Sequence, residues 1–363
     1  MDTDAERSAM TTLYLTEPRS VVRKDGETLV VKIPANSQDG SAARTVRVPM
    51  MKIDQVVVLA DSTLTTPALL ALLEQEADIC FCDYHGRFKG RLSNGTGKQV
   101  FLRLAQFQAH MDYPRRIGLA ARFVRGKLHN QRTLLLRSNR TLQEEQVAAD
   151  AATLGDLIQA VDGLEVTGDG PPDPSRPQQE SALGTLQGME GAGAAAFFRS
   201  FGRLLKQPFP FPGRRRRPPT DPINALLSFG YTLLLNHLLS AVQLVGFDPY
   251  VGFLHSPGYG KPALALDLME EMRTPIVDSV VLTVINKQII QPHHFEEQFG
   301  TYRLTGPGRK LFLQQFEQRL NTEIQHPAFG YRASYRRCLE LQARLLAKFL
   351  LGEVPTYRPF QIR

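Results

Sequence analysis

The chain has 363 residues, more than one hydrophobic core usually organises, and 42% of them are hydrophobic against 22% charged; a single small module and a disordered polymer are both excluded. Its 43 Lys and Arg exceed 36 Asp and Glu, leaving a net charge of +7, an excess that permits a polyanionic partner without requiring one. Three cysteines, Cys80, Cys82 and Cys338, make neither the dense framework of a small secreted protein nor a zinc spacing, so a reducing cytoplasm is the expected setting.

The opening MDTDAERSAMTTLYL is acidic, then polar, and lacks the basic, apolar and small-residue order of a signal peptide. Up to about Ser93 short alternating runs rich in Val, Leu and Ile, separated by turn residues, predict strands. Val21 to Ile33 reads as a hairpin broken at Lys24-Asp25-Gly26-Glu27, where Asp-Gly suits a tight turn. Further strands are expected over Thr45 to Ile53, Gln55 to Ala60, Ile79 to Tyr84 and Phe88 to Leu92. One helix interrupts them, with Thr66 as N-cap, Pro67 at the first helical position and good helix formers from Ala68 to Ala77. Ser93-Asn94-Gly95-Thr96-Gly97 ends the pattern. The fold class is therefore α+β, with an N-terminal β-strand-rich, β-sandwich-like domain at 1–93, a linker at 94–97 and a larger all-α domain at 98–363.

After Lys98 the period changes, and Val100, Leu104, Phe107 and Met111 fall on one helical face. Helical patterns continue over Ile117 to Arg137 and Thr141 to Val161. Gly168 to Glu180, with four prolines and three acidic residues, predicts a loop, and so does Gln207 to Pro222, with six prolines around the run Arg214-Arg215-Arg216-Arg217. Helices are expected again from Ile223, from Pro262, over Arg309 to Thr322 and over Tyr331 to Leu351. Ile223 to Phe247 carries no Asp, Glu, Lys or Arg and is long enough to cross a bilayer. Asn224, Ser228, Asn236, His237, Ser240 and Gln243 interrupt it, and no second such span exists, so it reads as a buried helix and no membrane is expected.

Candidate chemistry concentrates late in the chain. Gly246 to His255 is punctuated by glycine and delivers His255 at the mouth of the turn Ser256-Pro257-Gly258-Tyr259-Gly260, where an imidazole serves as a ligand, a base or a surface hydrogen-bonding group. The helical segment PALALDLMEEMR, Pro262 to Arg273, sets Asp267 and Glu270 three apart on one face. Two carboxylates beside a histidine suit Mg²⁺ or Mn²⁺; the alternative is that Glu270 pairs with Lys261 or Arg273. Upstream, GMEGAGAAAFF at 188–198 opens a helix with Glu190 and a run of small residues, which permits close approach of a backbone, a nucleic acid or a metal and is also simple dipole chemistry.

These blocks, together with KLHNQRTLLLR at 127–137, DPINALLSFGYTLL at 221–234 and GFDPYVGFLHSPGYGKPALALDLMEEMR at 246–273, resemble the CRISPR-associated integrase of spacer acquisition, the "Cas one" family, over essentially the whole chain. The resemblance implies a divalent metal, Mg²⁺ or Mn²⁺, held by Glu190, His255 and Glu270 as catalytic ligands, with Asp267 orienting ligands or contacting DNA, and Asn224, Ser228 and Tyr231 beside the site. It implies double-stranded DNA substrates, a prespacer and a CRISPR repeat, joined by attack of a 3′-hydroxyl on a phosphodiester. It also implies a homodimer formed through the N-terminal domains and a small "Cas two" partner protein bridging two such dimers.

Phosphate neutralisation would fall to Arg115, Arg116, Arg122, Arg125, Lys127, Arg132 and the Arg214, Arg215, Arg216, Arg217 run, which reads equally as a solvated tether. The competing readings are a structure-specific metal-dependent nuclease of DNA repair and a non-catalytic DNA-binding scaffold.

Overall fold

The computed structural model describes residues 11–35, 42–83, 88–93, 99–164, 182–215 and 218–363. The expected linker at 94–97, the loop at 168–180, and Arg216 and Arg217 lie outside the described residues. The chain divides into two units, Met1–Thr96 and Gly97–Arg363.

The first unit holds two four-stranded sheets. Strands β2 (Ser20–Asp25) and β3 (Thr28–Ile33) form the expected hairpin, turning at Gly26, whose φ of +57° is left-handed, and Glu27. With β4 (Arg44–Pro49) beside β3 and β6 (Ser62–Leu64) beside β2 they give the order β4-β3-β2-β6. The second sheet runs β1-β5-β7-β8, from β1 (Thr11–Leu15), β5 (Ile53–Val58), β7 (Asp78–Cys82) and β8 (Phe88–Leu92). Its first three strands pair in parallel and only β8 is antiparallel.

Parallel pairing of β5 with β7 requires a crossover, supplied by helix α1 (Thr66–Glu74). Leu15, Val22, Leu29, Val31, Val56, Ile79, Ala68 and Leu72 share one core, so both sheets and α1 close over the same apolar interior. Element boundaries differ from expectation in places. The N-cap of α1 is Thr65 rather than Thr66, with Pro67 in the first turn, and the run Thr45 to Ile53 breaks at a 3₁₀ turn, Met50–Lys52, before β5 begins.

The second unit is not all-α as expected: it holds two antiparallel two-stranded sheets, Phe295–Gln298 with Thr301–Leu304 and Glu323–Gln325 with Arg332–Ser334, and is otherwise dominated by helices. They are α2 (Val100–Met111), α3 (Tyr113–Leu142), α4 (Glu145–Asp162), α5 (Ala182–Phe201), α6 (Pro222–Val245), α7 (Ala263–Met272), α8 (Ser279–Asn286), α9 (Gly306–Leu320) and α10 (Tyr335–Leu350). The face of α2 that spacing selected, Val100, Leu104, Phe107 and Met111, is exposed; Leu102, Gln106 and Ala109 point inward. The inward side is fixed by polar bonds, Gln106 donating to the carbonyls of Asp248 and Val251.

Helix α6 is apolar and long enough to cross a membrane, and 72% of its most apolar window is buried inside the protein, as the sequence reading of a core helix expects. Asp221 caps it by accepting from the Asn224 amide at 2.8 Å. Between α7 and α8 the helix widens to a π-helical stretch, Arg273–Asp278, around Pro275, which has no N–H to donate to the preceding turn.

Candidate functional site

Of the small residues of α5, Gly193 serves helix packing. A Cβ at Gly193 would collide with the Leu128 side chain of α3, so glycine lets the two helices meet closely. One turn before Gly193, on the same face, stands Glu190; one residue before Leu128 stands Lys127. The Lys127 ammonium accordingly donates to Glu190 Oε1. Glu190 lies in the third turn of α5 rather than at its opening, so the helix-dipole reading of this carboxylate is corrected: its partner is a side chain on another helix.

His255 arrives on the loop between α6 and α7, and Asp267 of α7 holds that loop by its backbone. The carboxylate accepts from the amides of Phe253 (2.5 Å), Leu254 (3.1 Å) and His255 (2.9 Å) and from His255 Nδ1 (2.8 Å). A carboxylate only accepts, so Nδ1 is the donor and Nε2 is the ring nitrogen left to face a ligand. That nitrogen stands 4.0 Å from Glu270 Oε1. Gly252 makes the arrangement possible: a Cβ there would sit 2.7 Å from both the Ala263 carbonyl carbon and Asp267 Oδ2. From the other side Arg116 donates to the Phe253 carbonyl (3.1 Å) and the His110 ring to the Gly252 carbonyl (2.7 Å).

Glu270 is 3% exposed and carries one cation on each oxygen, Arg273 at 2.8 Å from Oε1 and Lys127 at 2.6 Å from Oε2. Burial pushes its carboxyl up, but Arg273, Lys127 and His255 outweigh it and hold the group at about 2. Of the two partners weighed for Glu270, Arg273 is the one used; Lys261 donates instead to the Ser256 carbonyl. The Arg273 guanidinium lies over the Tyr231 ring, 4.9 Å from its centroid, and Tyr231 donates to Asp278 at 2.5 Å.

Asn224, Ser228 and Tyr231 do form a polar face of α6, and what it grips is Arg214. That guanidinium donates to Asn224 Oδ1 (2.7 Å) and Ser228 Oγ (3.2 Å) and lies over the Tyr231 ring. Arg214 is therefore a packed group rather than part of a solvated tether. Tyr231 links it to Arg273 and so to Glu270.

The remaining basic candidates are largely engaged within the fold. Arg115 donates to the Leu350 carbonyl, Arg122 to that of Tyr357, Arg132 to that of Ala151, and Arg125 pairs with Asp162 at 2.7 Å. Lys127 is 2% exposed and belongs to the carboxylate cluster. Sequence reasoning missed this role, and it missed Glu271. Glu271 accepts from Tyr357 Oη (2.7 Å), Gln342 Nε2 (2.8 Å) and the Phe360 amide (2.7 Å), fastening residues 357–360 across the back of α7. Asn130 adds bonds to the carbonyls of Glu271 and Phe360, each 2.8 Å.

Glu190, His255 and Glu270 thus converge from α5, a loop and α7. Among the described residues they do not close into a cluster of metal-ligating side chains by themselves, and the Lys127 ammonium contacts both carboxylates. The donor set nevertheless fits a divalent cation. It offers two hard carboxylates that already share a cation and an imidazole nitrogen turned away from Asp267.

The model of the family CRISPR associated protein Cas1 matches residues 13–318. The "CRISPR-associated endonuclease Cas1 3" of Thermus thermophilus is 38% identical over 352 residues, covering 97% of each chain. A "CRISPR-associated exonuclease Cas4/endonuclease Cas1 fusion" of Geobacter sulfurreducens is also 38% identical, over 97% of this chain, which spans 60% of the fusion's length. Among solved structures, a casposase bound to its integration product aligns with a TM-score of 0.79 at 22% identity, covering 96% of this chain and 92% of that one; at that identity the likeness concerns the fold.

Proposed function

This chain belongs to the CRISPR associated protein Cas1 family, and from that premise we propose that it is a metal-dependent DNA endonuclease and integrase of CRISPR adaptation. It inserts short DNA fragments at a CRISPR repeat by attack of a 3′-hydroxyl on a phosphodiester. Its proposed partners are double-stranded DNA, a second copy bound through the N-terminal unit, and the small Cas two protein.

One observation carries the catalytic part: Glu190 and Glu270 share a cation position, and His255 Nε2 stands 4.0 Å from Glu270. Those three groups would hold Mg²⁺ or Mn²⁺. When bound, such an ion polarises a nonbridging phosphate oxygen and keeps the attacking and leaving oxygens in line. The chain's own residues do the positioning. Asp267 fixes the His255 tautomer and the loop backbone, while Arg273, braced on Tyr231, keeps Glu270 ionised although it is buried. A ligating His255 has no free lone pair for proton abstraction, so its role is that of ligand.

The test is joining of a labelled duplex into a supercoiled plasmid bearing a repeat, with Mn²⁺, Mg²⁺ or chelator. Metal-dependent joined products, lost in Glu190→Ala and His255→Ala, support the reading. Nicks without joining in the presence of the Cas two partner favour a nuclease without integration, and activity untouched by either substitution overturns the site.

A further inference from the structure

Lys127 is an unusual residue to find in the middle of a long helix, facing inward. Its side chain is 3% exposed, in the same face of α3 as Phe123, Val124, Asn130 and Gln131, all buried. A lysine so placed is tolerated only where its charge is met. It is met twice, by Glu190 Oε1 and by Glu270 Oε2, and these are the two carboxylates that the proposed function assigns to a metal. The ammonium therefore stands where a cation shared by both carboxylates must stand.

We propose that Lys127 is the resident counter-cation of this site: its ammonium keeps Glu190 and Glu270 together in the metal-free protein and must give up that place when a divalent ion binds. The inference rests on the metal reading given above and deepens it. Arg273 is not an equivalent competitor. Its guanidinium touches Glu270 alone, through Oε1, and is held over Tyr231, whereas Lys127 bridges both carboxylates from a flexible four-carbon stem.

Charge balance argues the same way. The Glu190 and Glu270 carboxylates are met by two cations, Lys127 on both and Arg273 on Glu270, so neither carboxylate is left without a counter-charge. A divalent ion that neutralises the carboxylates leaves two positive side chains uncompensated beside it, a field suited to an entering phosphodiester. Lys127 thus opposes metal binding in the absence of DNA and favours it in the presence of a phosphate.

The test is Mn²⁺ binding to the full chain, measured by calorimetry, together with the melting temperature in chelator, for wild type, Lys127→Met and Lys127→Arg. Removing a charged competitor should tighten Mn²⁺ binding roughly tenfold in Lys127→Met, one charge-assisted contact's worth, while lowering the melting temperature in chelator, a deficit that saturating Mn²⁺ closes. Lys127→Arg, which keeps the charge in a bulkier group, should bind Mn²⁺ more weakly than wild type, and it keeps the test open if Lys127→Met does not fold.

Wild-type Mn²⁺ binding that is lost in Glu190→Ala yet unchanged or weakened in Lys127→Met overturns the inference alone. Mn²⁺ binding absent from wild type but present in Lys127→Met supports it. Absence of Mn²⁺ binding from wild type, Lys127→Met and Lys127→Arg alike overturns the metal reading and the inference with it.

Discussion

Asp267 and His255 are joined twice, once through the ring, where Nδ1 lies 2.8 Å from Oδ1, and once through the backbone, where the His255 amide meets the same oxygen at 2.9 Å. The other oxygen takes the amides of Phe253 and Leu254. An Asn at 267 offers one acceptor and one donor, so its amide group would face backbone donors. Asp267→Asn is expected to lower Mn²⁺ affinity ~10- to 100-fold, the usual cost of losing a carboxylate behind a ligating histidine. Calorimetric titration measures it, and urea unfolding should show a loss of roughly 1–3 kcal/mol from the unsatisfied amides.

Gly252 supplies a second prediction, independent of charge. A methyl group there would press on the Ala263 backbone and on Asp267 Oδ2, both 2.7 Å away. Gly252→Ala should therefore push the 252–255 segment off Asp267 and cut DNA joining severely, while far-UV circular dichroism stays that of wild type. Unchanged joining would show that the loop tolerates the displacement.

Arg273 is a largely covered partner of a buried carboxylate, its side chain 13% exposed, so breaking the pair should cost more than a surface ion pair does. Arg273→Ala is expected to destabilise the protein by about 3–5 kcal/mol, seen as a lower urea midpoint. Arg273→Lys keeps the charge but loses the planar contact with Tyr231, and should fall between the two.

Glu271 gives a pH signature. Burial raises its carboxyl from 4.5 to about 8 against the hydrogen bonds from Phe360, Tyr357 and Gln342. The native state therefore holds this proton more tightly than the unfolded chain. The stability it brings is full below about 4.5 and is lost as pH rises through about 8. Wild-type unfolding free energy should fall across that window by up to about 1.4 kcal/mol per pH unit. Glu271→Gln should flatten the slope, and an unaltered slope would assign it to other groups.

Much of this arrangement is legible in the residues themselves. His255, Asp267 and Glu270 sit in one short stretch whose glycines and helical spacing announce a loop feeding a helix, and the hairpin at Gly26 follows from its turn. Lys127 was harder to place. Lys127 reads as a phosphate-neutralising candidate, yet Ile117, Ala120, Val124, Lys127, Gln131 and Leu135 recur at steps of three and four and are all buried. That periodicity marks Lys127 as an inward residue.

The exposed face of α2 misled in the opposite direction, because its inward side is held by Gln106 rather than by apolar residues. The segment after α10 has no periodicity to read. It docks through the buried rings of Tyr357 and Phe360 and through the Phe360 backbone on Asn130 and Glu271, contacts that carry no helical or strand spacing.

The close approach of α5 to α3 at Gly193 also has a kinetic consequence. Lys127 and Glu190 are 63 positions apart along the chain, and Glu270 lies far beyond both, so the two carboxylates and their shared ammonium come together from three distant segments. Contacts this remote form only after large loops have closed, which slows their appearance in refolding. Recovery of Mn²⁺ binding should accordingly lag behind recovery of helical signal in a stopped-flow experiment, making the centre one of the last features the chain acquires.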